Sequence, residues 1–131
     1  MENEVSQFVS VDEKKGTRTN PLVSIITPTL NRIKYLEACI QSVLNQSYPY
    51  IEHILVDGDS SDGTVDMLSS YQARYPDRIR FISEPDKGAG EAGNNGWRMA
   101  KGEIFGLLGS DDVYEPDAIM TAVEFFRANP S

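Results

Sequence analysis

Gly106-Leu-Leu-Gly-Ser-Asp-Asp-Val-Tyr-Glu-Pro-Asp117 is the stretch that decides how the rest of the chain is read. Ile104 to Leu108 is a short apolar run bounded by turn signals, the pattern of a buried strand. It stops at Gly109 and delivers Ser110, Asp111 and Asp112 into the loop beyond. In an open α/β sheet, ligands bind in the crevice outside the strand carboxyl ends. Adjacent carboxylates there are hard oxygen donors, suited to Mg2+ or Mn2+ in company with phosphate oxygens. The plainer explanation is turn and helix-start chemistry, for which Asp-Asp before a helix also serves.

Upstream, Val23-Ser-Ile-Ile-Thr27 is a compact β-rich run that Pro28 should stop, leaving Thr29 to Arg32 in a loop. From Ile33 the period becomes helical, with Leu36, Ile40, Val43 and Leu44 on one stripe, and the helix should end near Gln46 ahead of Pro49. Ile51 to Val56 reads as a second strand running into Asp57-Gly-Asp-Ser-Ser-Asp-Gly-Thr64, a loop of residues that bond their own backbone. Within it Asp62 suits the turn and Asp66 the first turn of the next helix. That helix places Val65, Leu68 and Tyr75 inward, and Ile79 to Ser83 is a third strand. Asp86 to Gly96 reads as a loop leading into a brief helix through Trp97, Met99 and Ala100, closed by Gly102. After the aspartates, a helix from Pro116 carries Ile119, Ala122, Val123 and Phe126 on one face. The order βαβαβαβα with helix-length crossovers predicts a three-layer α/β/α domain with a mostly parallel sheet and right-handed connections. Met1 to Asn20 lacks either periodicity, so residues 1–20 are expected to be a disordered leader and residues 21–131 the folded domain.

Composition excludes several classes. The formal charge of -8 argues against a nucleic-acid partner, which needs basic patches. No apolar run approaches the roughly 20 residues of a membrane helix and no signal peptide is visible, so a soluble, cytoplasmic chain is expected. Cys39 is the only cysteine and reads as a small core residue; His53, the only histidine, lies in a strand and suits packing better than catalysis.

Three loops at strand carboxyl ends should face one crevice: Pro28 to Arg32, Asp57 to Thr64, and Gly109 to Tyr114. The first offers backbone groups and Asn31, the second a carboxylate able to accept a base N–H, the third carboxylates for a ribose hydroxyl and a metal. Together they suit a nucleotide diphosphate held through a divalent cation.

Val23-Ser-Ile-Ile-Thr-Pro-Thr-Leu-Asn-Arg32, Ser42-Val-Leu-Asn-Gln-Ser-Tyr48, Ile51-Glu-His-Ile-Leu-Val-Asp-Gly-Asp-Ser-Ser-Asp-Gly-Thr64 and Ser110-Asp-Asp112 resemble, in order and spacing, the family-2 glycosyltransferases of GT-A fold. The resemblance implies a nucleotide-diphosphate sugar as donor, a UDP-sugar first, and a glycan or lipid-linked sugar as acceptor in polysaccharide biosynthesis. It implies that Pro28 and Thr29 line the base pocket, with Asn31 and Arg32 in the same loop. Asp57 would bind the base edge, with Asp59 a weaker contact. Asp111 would hold the ribose and Asp112 an Mg2+ or Mn2+ ion. Asn95, in Ala92-Gly-Asn-Asn-Gly96, would lie near the donor. Two departures stand out: Leu30 occupies a position where many relatives carry a stacking tyrosine, and Ser110 begins the Asp-x-Asp element. The mechanism implied is inverting transfer to an acceptor hydroxyl. The family's catalytic base lies well past the Asp-x-Asp strand, so no catalytic base is expected before Ser131 and the chain reads as a truncated, donor-binding half, inactive alone.

Two other readings compete. Gly88-Ala-Gly-Glu-Ala-Gly93 matches G-x-G-x-x-G, which would make this an NAD(P)-binding oxidoreductase domain, although Glu84 to Lys87 separates it from its strand. A non-catalytic nucleotide-binding scaffold would keep the fold and be indifferent to Asp112. Trp97 and Phe125-Phe126 read as core or contact residues, and an incomplete sheet exposing apolar surface is expected to favour self-association.

Overall fold

A computed structural model of the chain describes residues 8–10, 20–85 and 88–129. Within them lie strands β1 (Phe8–Ser10), β2 (Val23–Thr29), β3 (Ile51–Asp57), β4 (Ile79–Ser83) and β5 (Ile104–Leu107). The helices are α1 (Ile33–Leu44), α2 (Thr64–Arg74), α3 (Ala89–Met99) and α4 (Ala118–Ala128). The sheet runs β1-β5-β2-β3-β4, parallel throughout except for β1, which pairs antiparallel with β5. The mostly parallel three-layer arrangement read from the βα alternation is therefore the one observed.

Parallel strands covered on both faces read as near-continuous apolar runs, with any polar side chain among them needing a partner. Every residue of β3 is buried, and so is every residue of β2 except Pro28. On one face α1 and α4 close over Val23, Ile25, Ile51 and Ile104, while α1 and α2 close over Leu55 and Ile79. On the other, α3 covers Ile26, Ile54, Val56 and Phe105. It can lie close because Gly96 has no side chain: a Cβ there would run into Ile26 Cγ2 and sit 3.2 Å from Cγ1.

The same face carries a buried polar knot. Glu52 accepts hydrogen bonds from Ser24 Oγ (2.5 Å), the Lys101 N–H (2.6 Å) and Arg80 Nη2 (2.8 Å), and Arg80 also donates to Met99 O (2.6 Å). The end of α3 is thereby tied to the sheet. Burial alone would raise the Glu52 pKa, but the Ser24, Lys101 and Arg80 donors outweigh it and hold the carboxyl below its ordinary value. On the opposite face, burial drives the His53 pKa down to about 3. Its Nε2 pairs with Thr27 Oγ1 at 2.7 Å and its Nδ1 has no partner among the described residues.

Four expectations are corrected. Phe8–Ser10, inside the stretch read as a leader, is an edge strand, and Phe8 belongs to the core. Three residues are too short to show a period, and what anchors them is the Phe8 ring lying over Gly106, where a Cβ would be 2.6 Å from Phe8 Cε1. Residues 1–7 and 11–19 lie outside the described residues. Strand β2 continues past Pro28 to Thr29, because the bond-forming groups of Thr27 and Thr29 face β3, whereas Pro28 faces the side where β5 pairing has ended. The inner face of α2 is Thr64, Leu68 and Tyr71; Tyr75 is the half-buried cap residue. Finally, α3 begins at Ala89, so Gly90 and Gly93 of the G-x-G-x-x-G match lie within a helix. A dinucleotide fingerprint needs those glycines in a strand-to-helix turn and at a close packing contact. A Cβ at Gly90 or Gly93 meets nothing within 4 Å, and the close contact falls to Gly96 instead. The oxidoreductase reading loses its structural basis.

Candidate functional site

Strands β2, β3 and β4 finish level, with Thr29 beside Asp57 and Asp57 beside Ser83. The next turn starts alongside them, since the Leu108 N–H donates to Ile26 O at 3.0 Å. All four parallel strands thus open on one edge, as the sequence reading required.

Asp57 is fully enclosed rather than displayed. Its carboxylate accepts from the Ser60 N–H (2.8 Å), Ser60 Oγ (2.5 Å) and Ser83 Oγ (2.7 Å), which makes it the organiser of the turn above β3. Asn31 takes a left-handed conformation (φ 52°), which Asn tolerates better than most residues. Its N–H donates to Ser60 Oγ and its Oδ1 accepts from the Ser61 N–H, both at 2.8 Å, so the loops after β2 and β3 are cross-linked. Asp62 completes the link. Its Oδ1 holds Thr64 Oγ1 at 2.5 Å and the Thr64 N–H at 3.1 Å, and its Oδ2 accepts the otherwise unpaired Ile33 N–H at the start of α1, 3.0 Å away. The Thr64 hydroxyl, more than any other contact, lowers its pKa.

Pro28, Thr29, Leu30 and Arg32 share a crevice of about 200 Å³ with Gly88, Ala92 and Ser110. Thr29 is buried, and its Oγ1 has no hydrogen-bond partner among the described residues. A buried hydroxyl without a partner is costly, so its natural complement is a ligand group. Ser110 meets the first loop here.

Beyond Ser110 the chain turns, Asp112 N–H donating to Gly109 O at 3.1 Å. Asp111 and Asp112 are exposed, and both carboxylates reach over Gly109: a Cβ there would sit 2.7 Å from Asp112 Oδ2 and 3.4 Å from Asp111 Oδ1. Asp112 also borders a cleft of about 370 Å³ with Leu107, Val113, Tyr114 and Glu115. Two hard oxygen donors converging over one residue, open on the outer side, fit a Mg2+ or Mn2+ ion that keeps water and phosphate as its other ligands. Among the described residues no cluster of three or more metal-ligating side chains would hold an ion unaided. Cys39 lies beneath, its Sγ 3.6 Å from Gly109 O. Burial, against a lowering hydrogen bond from Thr27 and with the nearby charges of Asp112 and Asp111, pushes its thiol up to about 12, so it is an inert core group.

Of the expected site residues, then, Pro28, Thr29 and Arg32 gather with Ser110, and Asp111 and Asp112 converge next to them. Asn31 and Asp57 sit in the supporting layer. Asp59, at φ 72°, is exposed and borders neither cavity; Asn95, on α3, accepts from Arg98 Nη1 at 3.0 Å and does not line the crevice. Sequence reasoning passed over Ser60 and Ser83, whose only signal is the level register of β3 and β4, and over Ser42 and Gln46, which hold the segment after the aspartates.

A mostly parallel open sheet covered on both faces, with converging carboxylates and a hydroxyl unpartnered among the described residues at its strand carboxyl ends, defines an α/β domain of doubly wound type whose crevice suits a ligand. The Glycosyl transferase family 2 model matches residues 24–131, and the chain belongs to that family. It is 38% identical over 134 residues to chondroitin synthase of Escherichia coli, covering 100% of this chain and 19% of that protein. It is 40% identical over 110 residues to the putative teichuronic acid biosynthesis glycosyltransferase TuaG of Bacillus subtilis, covering 83% and 43%. Among solved structures, the mannosyltransferase PcManGT from Pyrobaculum calidifontis, in complex with GDP-Man and Mn2+, superposes with a TM-score of 0.72 at 27% identity, covering 84% of this chain and 33% of that one. S. aureus TarS in complex with UDP-GlcNAc gives 0.73 at 25% identity, covering 82% and 31%. The fold is of the GT-A type, and the chain spans between a fifth and under half the length of these relatives.

Proposed function

We propose that this chain holds a nucleotide-diphosphate sugar at the carboxyl edge of its sheet, for inverting transfer of the sugar to an acceptor hydroxyl. The observation that carries the reading is Thr29, which lines the crevice joining the first loop to Ser110 and whose buried Oγ1 has no partner among the described residues. Pro28 and Thr29 would line the base pocket, Arg32 would stand at its rim, and Asp111 would take the ribose hydroxyls. Asp57, enclosed by Ser60 and Ser83, keeps the pocket floor in shape, and a base N–H would reach the remaining lone pair of its Oδ1 only on opening of the Ser60 turn. Asp59 and Asn95 are assigned outer contacts that form when the donor is bound.

Asp112, with Asp111 beside it, would hold the divalent cation. When bound, that cation would stabilise the charge left on the departing diphosphate. The likeness to a neighbour solved with GDP-Man and Mn2+ and to another solved with UDP-GlcNAc supports both the donor class and the metal. Deprotonation of the acceptor, a glycan or lipid-linked sugar, falls in this reading to a carboxylate outside the described residues. The described residues bind the donor and are not expected to turn it over alone.

Titration of UDP, GDP and NAD with and without Mn2+ tests the assignment. UDP binding that strengthens at least tenfold with Mn2+, and loses that gain in Asp112→Asn, is expected. Equal affinity with and without the metal, or an Asp112→Asn variant that keeps the gain, would refute it.

A further inference from the structure

The polar side chains on the β5-facing side of α1, and in the turn after it, do not touch either cavity, yet they hold the segment that carries the aspartates. Ser42 Oγ donates to Cys39 O (2.7 Å) and accepts the Tyr114 N–H (3.1 Å). Gln46 is buried, and its amide is fully used: Nε2 donates to Ser42 O (3.0 Å) and Glu115 O (2.7 Å), and Oε1 accepts the Ile119 N–H (3.0 Å). The Ser47 N–H donates to Pro116 O at 2.9 Å. Two carbonyls on one side and an N–H on the other leave only one orientation for the Gln46 amide. Ile119 is in the first turn of α4, where an N–H has no partner within its own helix, so Gln46 caps α4 from a different element. Cys39 and Ser42, three apart, share one face of α1, and Gln46 follows in the turn beyond its C-cap Asn45.

We propose that Ser42 and Gln46 are positioning residues for donor binding: they fix the path of residues 112–119, and so the place at which Asp111 and Asp112 converge over Gly109. The inference rests on the donor-binding reading. Among the described residues the turn is closed by the Asp112 N–H to Gly109 O bond, with Cys39 Sγ against the same carbonyl, and both carboxylates are exposed, so their placement depends on how the chain is held downstream. Tyr114, the first backbone group held after the aspartates, is two residues from Asp112.

The experiment measures amide hydrogen exchange and Mn2+-dependent UDP affinity on the whole 131-residue chain. The variants are Gln46→Ala, Gln46→Glu, Ser42→Ala and Ser42→Thr, with Leu68→Ala as a destabilised control in the α1–α2 core. Gln46→Ala should speed exchange at Asp112, Tyr114 and Ile119 by at least tenfold relative to β3 amides and weaken UDP binding about tenfold. Gln46→Glu keeps the acceptor for Ile119 but faces two carbonyls without donors, so it should resemble Gln46→Ala. Ser42→Thr should restore what Ser42→Ala loses. Leu68→Ala should speed exchange throughout and leave UDP affinity within twofold. Gln46→Ala binding within twofold of wild type, or weakening no greater than in Leu68→Ala, overturns the proposal. Should Gln46→Ala not fold, the Ser42 pair decides by the same criteria. A wild-type chain that does not bind UDP with Mn2+ would sink the donor reading instead, and the exchange pattern would still show whether Ser42 and Gln46 hold the segment.

Discussion

Gly93 and Gly96 lie one turn apart in α3, and alanine at the two positions should act in opposite directions. Alanine in a helix interior is favoured over glycine by about 1 kcal/mol, partly because it restricts the unfolded chain. At Gly93 a Cβ meets nothing within 4 Å, so most of that gain, about 0.5–1 kcal/mol, should appear as added stability. At Gly96 the new methyl meets Ile26 Cγ2, Cγ1 at 3.2 Å and Cβ at 3.4 Å. Ile26 cannot swing away: it is fully buried, β-branched and fixed in the central strand. Overpacking of this kind costs about 1–3 kcal/mol, leaving a net loss of up to about 2 kcal/mol after the propensity gain. The two variants should therefore differ by up to about 3 kcal/mol, roughly up to 2 M in urea midpoint for a domain of this size. Equilibrium urea unfolding followed by far-UV circular dichroism measures it. If both variants shift the midpoint in the same direction, the close seating of α3 on β2 through Gly96 is wrong. Because α3 also carries Ala92 into the crevice with Thr29, Gly96→Ala should weaken nucleotide binding even where it remains folded.

Gly109→Ala should change stability by less than about 1 kcal/mol, because the crowded atom is the free end of the Asp112 side chain, yet weaken Mn2+-dependent UDP binding by displacing that carboxylate; unchanged binding would contradict its placement over Gly109. Glu52→Ala should cost about 2–3 kcal/mol in urea unfolding, below the usual figure for a buried pair because Arg80 keeps 31% of its side chain exposed. Both acid-sensitive groups lose stability in the same direction. The folded pKa of Glu52 is depressed, so its contribution is complete above the ordinary carboxylate value of 4.5 and is lost as pH falls below it. The His53 pKa falls from 6.5 to about 3, so the buried neutral ring contributes above 6.5, and stability declines as pH falls from there toward 3. A His53→Gln variant should flatten the decline between pH 6.5 and 4.5, by up to about 1.4 kcal/mol per pH unit; an unchanged slope would mean that His53 is not enclosed.

The strands and helices were legible because their signals are local. Val23 to Thr27 and Ile51 to Val56 are runs buried on both faces, Ile79 to Ser83 is a short half-buried edge run bounded by turn residues, and the stripe from Leu36 to Val43 repeats at helical spacing. The site was legible only as far as chemistry marks it, in Asp57 and in Ser110-Asp111-Asp112. What escaped depends on pairing across the sheet or between elements. Phe8 becomes a core residue only over Gly106, Asp62 caps a helix 29 positions away in sequence, and Asp57 is enclosed by a serine from the neighbouring strand. The glycines from Gly88 to Gly93 misled in the other direction: their spacing imitates a phosphate-binding turn, while the helix there starts at Ala89 and an added Cβ at Gly90 or Gly93 meets nothing within 4 Å.

Helix α1 has a grip at each end. Its first free N–H is held by Asp62 of the loop after β3, and the turn after its last residue grips the chain between Glu115 and Ile119. Twelve residues long, it measures roughly 18 Å, so it works as a calliper whose jaws are the two sides of the crevice. Adding one residue within it would lengthen the span by only about 1.5 Å but rotate the far jaw by roughly 100°, carrying Gln46 off the aspartate segment. A chain altered in that way could still fold its sheet and yet carry the loops after β2 and β3 out of phase with the aspartate segment.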